Sequence, residues 1–132
     1  MRPLAFGHEL PICLTQLVEG PQALPPGRAI DVGCGTGDTS LYLAKHGWDV
    51  TGLDFVGRAL AQAHAKTQQA GMNVRYVEGD ATTLRSYVTG QVTLVVDNGC
   101  YHGFSEENRD KYAAEVTALV AKGGHQIGRA HV

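Results

Sequence analysis

Three glycines and two aspartates lie close together in the segment AIDVGCGTGD, residues 29–38. Gly33, Gly35 and Gly37 can adopt positive φ, and they leave the main chain open to a ligand because no Cβ stands in the way. Asp31 adds a negative charge before this turn, where it would repel a pyrophosphate and attract an ammonium or a sulfonium group. The segment therefore predicts a site for a ligand that carries a positive charge. A tight turn without a ligand is the alternative.

The spacing of the glycines distinguishes two classes of ligand. A dinucleotide-binding turn follows the pattern G-x-G-x-x-G, which requires a third glycine at position 38, where the sequence has Asp38. The glycines of this turn follow G-x-G-x-G instead. Together with the charge of Asp31, this spacing favours S-adenosylmethionine over NAD as the ligand. An oxidoreductase fragment that binds a nucleotide is the less favoured alternative.

The turn belongs to a chain in which short apolar runs alternate with amphipathic runs. Strands are predicted over residues 29–32, 49–53, 74–77 and 92–96, and helices over residues 38–46, 58–70 and 105–122. Strands that are separated by helices of this length pair in parallel through right-handed crossovers. The predicted fold class is α/β, an open, doubly wound parallel sheet with helices on both faces. Ligands bind beyond the carboxyl ends of the strands in such a sheet, and the glycine turn is expected there.

The length of 132 residues predicts a single domain with three parts. Residues 1–27 comprise a short amphipathic helix at residues 9–18 and a connector rich in proline and glycine. Residues 28–124 form the ligand-binding core. Residues 125–132 form an incomplete fifth strand after a double-glycine turn, and the ending IGRAHV is also consistent with a non-native tail.

The composition limits the partners and the location. A formal net charge of -2 provides no broad positive field for a nucleic-acid backbone, so nucleic acid is not the expected partner. The N-terminal segment is a poor signal peptide, and no later segment is long and apolar enough to span a membrane. We therefore expect a cytoplasmic protein with no membrane partner. The three cysteines and six histidines lack the spacing of metal ligands, so we expect reduced thiols and no metal.

The segment DVGCGTG resembles the first motif of the class I S-adenosylmethionine-dependent methyltransferases, in which an acidic residue precedes x-G-x-G-x-G. Four further segments resemble later motifs of this family in the same order, namely VTGLDF, VEGDATTL, VTLVVDNGCYHGF and YAAEVTALVAKGGH. The resemblance extends over residues 28–124. It implies a Rossmann-like methyltransferase fold, S-adenosylmethionine as the cofactor and methyl transfer as the reaction.

The resemblance also implies roles for residues that follow the second and third predicted strands. Asp54 would bind both ribose hydroxyls, and its place at a strand end suits a vicinal diol. A helix cap is the alternative for this carboxylate. Phe55 would lie beside the adenine, with core packing as the alternative. Asp80 would accept a hydrogen bond from the adenine amino group, and Ala81 would offer its backbone amide.

The segment after the fourth strand would face the methionine part of the cofactor and the methyl acceptor, which places Asp97 and Asn98 at the cofactor. Methyl transfer from a sulfonium is an in-line displacement that demands alignment more than a fixed catalytic residue. The candidates for a catalytic role are Tyr101, which would line the acceptor pocket, and His102, which would remove a proton near neutral pH. A solvated or structural role is the alternative for His102. Cys100 is disfavoured as a nucleophile because no nearby cation is identifiable from the sequence. The complete predicted set of cofactor-binding residues is Asp31, Gly33, Cys34, Gly35, Gly37, Asp54, Phe55, Asp80, Ala81, Asp97 and Asn98.

The resemblance ends at residue 124, whereas the chains of family members continue beyond the corresponding point. They add an antiparallel hairpin of strands six and seven beyond strand five, and this sequence is predicted to lack that hairpin as a C-terminally truncated member. Because substrate selection often depends on this region, the cofactor site is expected to be more complete than the acceptor site. The uncovered sheet edge at or near strands four and five is expected to recruit a second copy and form a homodimer, with the tail exchanged as one possible arrangement.

The acceptor is expected to be a small molecule that is methylated at oxygen, sulfur or nitrogen. The segment DNGCYHGF differs from the Asn-Pro-Pro-aromatic motif of many amino-directed nucleic-acid methyltransferases. The net charge also disfavours a nucleic-acid acceptor. The alternative is a module that binds S-adenosylmethionine or S-adenosylhomocysteine without methyl transfer.

Overall fold

The computed structural model describes residues 14–98 and 103–128. The described helices are α1 Leu14–Glu19, α2 Asp38–Lys45, α3 Gly57–Gln69 and α4 Glu106–Leu119, with a 3-10 helix at Ala81–Ser86. The described strands are β1 Arg28–Val32, β2 Asp49–Asp54, β3 Arg75–Glu78, β4 Val92–Asp97 and β5 Val120–Gly128. Strands and helices therefore alternate along the chain, as the hydrophobic pattern predicts.

The described strands form one sheet in the order β3-β2-β1-β4-β5, and every neighbouring pair is parallel. The chain builds outward from β1 to β3, crosses back, and builds outward again from β4 to β5. The strand order therefore reverses between β1 and β4, and such a reversal opens a crevice at the carboxyl ends of the two strands. The prediction of an open, doubly wound parallel sheet is confirmed.

The sheet is covered by helices on both faces, and β1 shows how its residues are divided between them. Ile30 and Val32 pack in the cluster formed with α4 and the 3-10 helix. Ala29 packs in the cluster formed with α1 and α2. Because side chains alternate along a strand, Asp31 points to the same face as Ala29, towards α2. A carboxylate thus occupies a core position of the central strand.

The boundary between α4 and β5 differs from the prediction. The predicted helix over residues 105–122 is too long, because β5 starts at Val120, before the double glycine rather than after it. Val120 pairs with Val92 and is buried in the cluster beneath α4. The register of the two strands shifts between Val92 and Leu94, and Gly123 in the same stretch of β5 has a φ of 83°. Pairing with β4 therefore decides where the strand begins.

Two further helices differ from the predicted pattern. The first described element, α1, covers the second half of the helix predicted at residues 9–18, while residues 1–13 lie outside the described ranges. The 3-10 helix after β3 was not predicted, and it places Ala81 and Leu84 in the core. Across the described ranges, every helix is too short or too polar to cross a lipid bilayer.

Candidate functional site

The glycine turn connects β1 to α2 and is fastened to the end of β2. The amides of Gly33 and Cys34 both donate hydrogen bonds to the carbonyl of Leu53, at 2.7 and 3.0 Å. Gly33, Gly35 and Gly37 have φ values of 70°, 54° and 89°, in the region that disfavours every residue with a Cβ. The turn therefore has the conformation that the sequence predicts, at the crevice between β1 and β4.

The glycines of the turn serve two different purposes. A Cβ built on Gly35 meets no other atom within 4 Å, so this backbone is open to a ligand. A Cβ built on Gly37 would lie 2.8 Å from the Cβ of Ala63 in α3 and 2.7 Å from the hydroxyl of Tyr76 in β3. Gly37 is therefore required by the packing of α3 against the turn, a reason that the sequence does not reveal.

Asp54 ends β2 and holds two backbone segments with its two carboxylate oxygens. Oδ2 accepts a hydrogen bond from the amide of Gly35 and Oδ1 accepts one from the amide of Val56, each at 2.9 Å. Each carboxylate oxygen can accept a second hydrogen bond. Val56, rather than Asp54, occupies the N-cap position of α3, so the helix-cap alternative for Asp54 does not apply.

A mostly apolar cavity of about 370 Å³ lies beside Asp54, between the ends of β2 and β3 and the start of α4. Its wall includes Phe55, whose side chain is 76% exposed, so the core-packing alternative for this ring does not apply. The cavity unites five of the predicted cofactor-binding residues with others that the sequence analysis missed. Its lining consists of Gly33, Leu53, Asp54, Phe55, Gly79, Asp80, Ala81, Thr82, Phe104 and Asn108.

Asp80 is the N-cap residue of the 3-10 helix and lines this cavity. Its Oδ1 accepts hydrogen bonds from the amide and the hydroxyl of Thr82, both at 2.8 Å. The bond from the backbone amide, and after it the bond from the hydroxyl, hold the pKa of the Asp80 carboxyl below its ordinary value. As the first residue of the 3-10 helix, Ala81 has an amide without an acceptor inside that helix. A carboxylate and a backbone amide that has no acceptor within the helix therefore lie next to each other.

A polar cavity of about 290 Å³ adjoins the apolar one, and Gly33 contributes to the lining of both. Its lining consists of Gly33, Cys34, Thr36, Asp38, Thr39 and Asn98. Lys66 of α3 donates hydrogen bonds to Asp38 at 2.5 Å and to Thr36 at 3.2 Å. The glycine turn is thus tied to α3 beside the cavity. Thr36 and Thr39 were missed from the sequence because polar residues at a helix start are common. Lys66 was missed because it lies in the last turn of α3, 30 residues further along the chain than Thr36.

Asp31 lies behind the polar cavity and is fully buried. Its Oδ2 accepts a hydrogen bond from the hydroxyl of Ser40 at 2.7 Å, and its Oδ1 accepts one from the side-chain amide of Asn98. Burial raises the pKa of the Asp31 carboxyl to about 7. Asn98 lines the cavity, whereas Asp31 is not part of its lining and reaches it through its hydrogen bond with Asn98. Asp97 is also buried, at the end of β4.

The candidate catalytic residues Tyr101 and His102, together with Cys100, lie outside the described ranges. Their roles stay predictions.

Residues 29–124 match the family model of the methyltransferase domain. The chain therefore belongs to the methyltransferase domain family. The predicted family is confirmed by this match and by the curated relatives named as methyltransferases, and S-adenosylmethionine, the cofactor of this family, is confirmed with it.

Two curated relatives show how far the similarity extends. The chain is 34% identical over 129 residues to ribosomal RNA small subunit methyltransferase C of Alcanivorax borkumensis, which covers 92% of this chain and 39% of the relative. It is 29% identical over 126 residues to the 2-heptyl-1-hydroxyquinolin-4(1H)-one methyltransferase of Mycobacteroides abscessus, covering 95% of this chain and 54% of the relative. The chain therefore spans less than two thirds of the length of either relative.

A solved structure shares the fold. The crystal structure of TehB from Haemophilus influenzae superposes with a TM-score of 0.75 at 20% identity, over 86% of this chain and 39% of the other. At this identity the likeness concerns the fold alone.

The close approach at Gly37 predicts a measurable difference between two glycine substitutions. Gly37→Ala and Gly71→Ala share the cost of a positive φ, about 1–2 kcal/mol each, but a Cβ at Gly71 meets no other atom within 4 Å. We expect Gly37→Ala to lower the free energy of unfolding by about 1–3 kcal/mol more than Gly71→Ala, as overpacking does. Urea denaturation of both variants measures the difference. Equal losses would show that α3 does not pack tightly on the turn.

Proposed function

We propose that this chain transfers a methyl group from S-adenosylmethionine to a small molecule, at an oxygen, sulfur or nitrogen atom. The observation that carries the proposal is the pair of adjoining cavities at the reversal of strand order, one apolar and one polar, which meet at Gly33. Their chemistry corresponds to the two halves of the cofactor, an adenosine and a charged amino acid. The residues present therefore suit this cofactor.

The apolar cavity is suited to the adenosine. The remaining acceptor capacity of Asp54, at the end of β2, suits the two hydroxyls of a ribose. The exposed ring of Phe55 offers a flat apolar surface to a base. Asp80 and the amide of Ala81 offer an acceptor and a donor to the edge of that base.

The polar cavity is suited to the amino-acid end. It lies at the N-terminus of α2, where backbone amides and the helix dipole favour a carboxylate. Lys66 balances the charge of Asp38 there, so that Asp38 repels the carboxylate less. The buried carboxylate of Asp31 favours the ammonium and the sulfonium through its field.

When it is bound, S-adenosylmethionine supplies a methyl group on a positively charged sulfur. The residues of the chain then have to hold the donor in place, orient it and align the acceptor. We assign the lining of the acceptor pocket to Tyr101 and proton removal to His102, both of which follow β4 in the sequence.

The choice of a small molecule rests on charge and on one relative. The net charge of -2 does not favour a nucleic-acid backbone, and the relative from Mycobacteroides abscessus is named for a small heterocyclic substrate. The relative from Alcanivorax borkumensis is named for ribosomal RNA, which makes RNA the second candidate acceptor. A module that binds the cofactor without methyl transfer is the non-catalytic alternative.

Substitution of Asp54 tests the cofactor site. We expect Asp54→Ala to weaken binding of S-adenosylhomocysteine at least about tenfold by calorimetry, because the ribose loses its acceptor and the glycine turn loses one of its hydrogen bonds to the end of β2. Asp49→Ala is the matched control, since it removes an exposed carboxylate at the other end of the same strand. Unchanged affinity in Asp54→Ala, or preferential binding of NAD, would contradict the proposed site.

Methyl transfer is tested with isotopically labelled S-adenosylmethionine. We expect label to pass to at least one member of a panel of phenols, thiols and amines, with S-adenosylhomocysteine formed in equal amount. Small-subunit ribosomal RNA is tested in parallel. Label in the RNA alone would favour the second candidate, and bound cofactor without transfer to any acceptor would favour the binding module.

We also propose a homodimer that forms through β5. Within the described ranges β5 pairs with β4 on one side, whereas β4 lies inside the sheet between β1 and β5. An open strand edge presents unpaired backbone groups that recruit another chain. We expect sedimentation at high micromolar concentration to give twice the mass of one chain, and a clean monomer would contradict this. A cytoplasmic location belongs to the same proposal and rests on composition.

A further inference from the structure

Asp31 is a carboxylic acid buried at the centre of the site. Its side chain has no exposed surface, and its hydrogen-bond partners are the neutral groups of Ser40 and Asn98. Within residues 14–98 and 103–128, the ion pairs of the structure involve other carboxylates. Burying a carboxylate without a counter-charge is costly. The charged form of Asp31 would therefore gain from a cation that enters the neighbouring cavity.

The neighbouring strands do not supply a positive charge to Asp31. Asp54 at the end of β2 is a second carboxylate, and its charge disfavours the ionised form of Asp31. Asp97 at the end of β4 is a third acidic residue on an adjoining strand. Tyr76 on β3 is neutral near pH 7, since the ordinary pKa of a tyrosine is about 10 and burial raises the pKa of Tyr76 further. These groups of β2, β3 and β4 are therefore negative or neutral.

The helix and the turn above Asp31 do not supply a positive charge either. From α2, Ser40 offers a hydroxyl to the carboxylate. Cys34 of the glycine turn contributes a thiol, a group that carries no positive charge, to the cavity wall. The nearby cation of α3, Lys66, pairs with Asp38 at the start of α2.

Asn98 connects this carboxylate to the polar cavity. Its side-chain amide donates to Asp31 and its backbone amide donates to the carbonyl of Val32 at 3.0 Å. Asn98 itself lines the cavity. A change in the charge of Asp31 therefore alters the field in the cavity and the strength of the hydrogen bond from a group in its wall.

We propose that Asp31, acting through its field and through Asn98, makes the site prefer the cationic methyl donor to the product, and that donor binding releases the proton of Asp31. This inference rests on the proposed function and adds a form of regulation to it. S-Adenosylmethionine and S-adenosylhomocysteine share an ammonium and a carboxylate, but only the donor has a positive charge on sulfur. The ionised Asp31 distinguishes the two by that charge, and the neutral Asp31 does not.

The direction of the pH dependence follows from the raised pKa of Asp31, about 7. Below this pH the carboxyl is protonated, so the preference for the donor is weak. Above this pH the carboxylate is charged, so the preference is at its full strength. Binding of a cation lowers the pKa of the carboxyl, and near pH 7 the donor should therefore displace a fraction of a proton into solution.

Calorimetric titration with S-adenosylmethionine and with S-adenosylhomocysteine tests the proposal. We expect the ratio of the two affinities to shift towards the donor by about threefold or more between pH 6 and pH 8. Titration in buffers of different ionisation enthalpy should show more proton release for the donor than for the product. In Asp31→Asn, the affinity ratio should be independent of pH and the excess proton release should be absent.

Two variants keep the result interpretable. Asp49→Asn makes the same substitution at an exposed carboxylate of β2 and should behave like the unmodified chain. Ser40→Ala removes a hydrogen bond that favours the charged form, so it should move the midpoint of the affinity change to higher pH. If Asp31→Asn does not fold, the shift of this midpoint in Ser40→Ala tests the proposal in its place.

Stability provides a readout that needs no ligand. Since the folded pKa of Asp31 lies above its unfolded value, the folded state binds more protons between about pH 4 and 7, and stability falls as pH rises through this range. Urea denaturation should therefore show the unmodified chain losing stability relative to Asp31→Asn as pH rises.

The outcomes separate this inference from the proposed function. If both ligands bind but their affinity ratio is the same at pH 6 and pH 8, the inference is overturned and the cofactor site stands. If neither ligand binds at any pH, the proposed function fails and the inference fails with it. A parallel pH trend in Asp31→Asn would also overturn the inference, because another group would then be responsible.

Discussion

The attachment of the glycine turn to the end of β2 is the constraint on which the site depends. Leu53 accepts the amides of two successive turn residues, and Asp54 accepts the amide of Gly35. The turn comes from β1, so these bonds join two neighbouring parallel strands at their carboxyl ends. Because the turn is held at this point, it separates an apolar cavity on one side from a polar cavity on the other.

The same arrangement places an ionisable carboxyl group where a globular protein would ordinarily have an apolar side chain. Ile30 and Val32 on either side of Asp31 are fully buried core residues, and Asp31 is buried as deeply as they are. Hydrogen bonds from Ser40 and Asn98 offset part of the cost of this burial. A carboxyl group in the central strand is costly for folding, and groups that are costly in this way are concentrated at functional sites.

The predicted site residues differ in how far their surroundings could be foreseen. Asp54, Phe55, Asp80 and Ala81 do line one cavity, because residues that follow parallel strands meet at one edge of the sheet. Phe104 and Asn108 line it as well, yet they come from the start of α4, far along the chain, and no local pattern indicates that contact. The start of β5 at Val120 was missed for a similar reason, since pairing with β4 outweighed the local signal of two glycines.

The sequence by itself determined the order of strands and helices, the parallel sheet, the positive φ angles of the turn and the kind of ligand that its charge would attract. These properties depend on hydrophobic period, on glycine and on charge, which act over a few residues. Only the tertiary structure decided that Gly37 is needed for α3 to approach, that Lys66 reaches the turn, and that Asn98 stands between Asp31 and the cavity. Those contacts join residues about 30 to 70 positions apart, and chain folding, rather than local preference, brings them together.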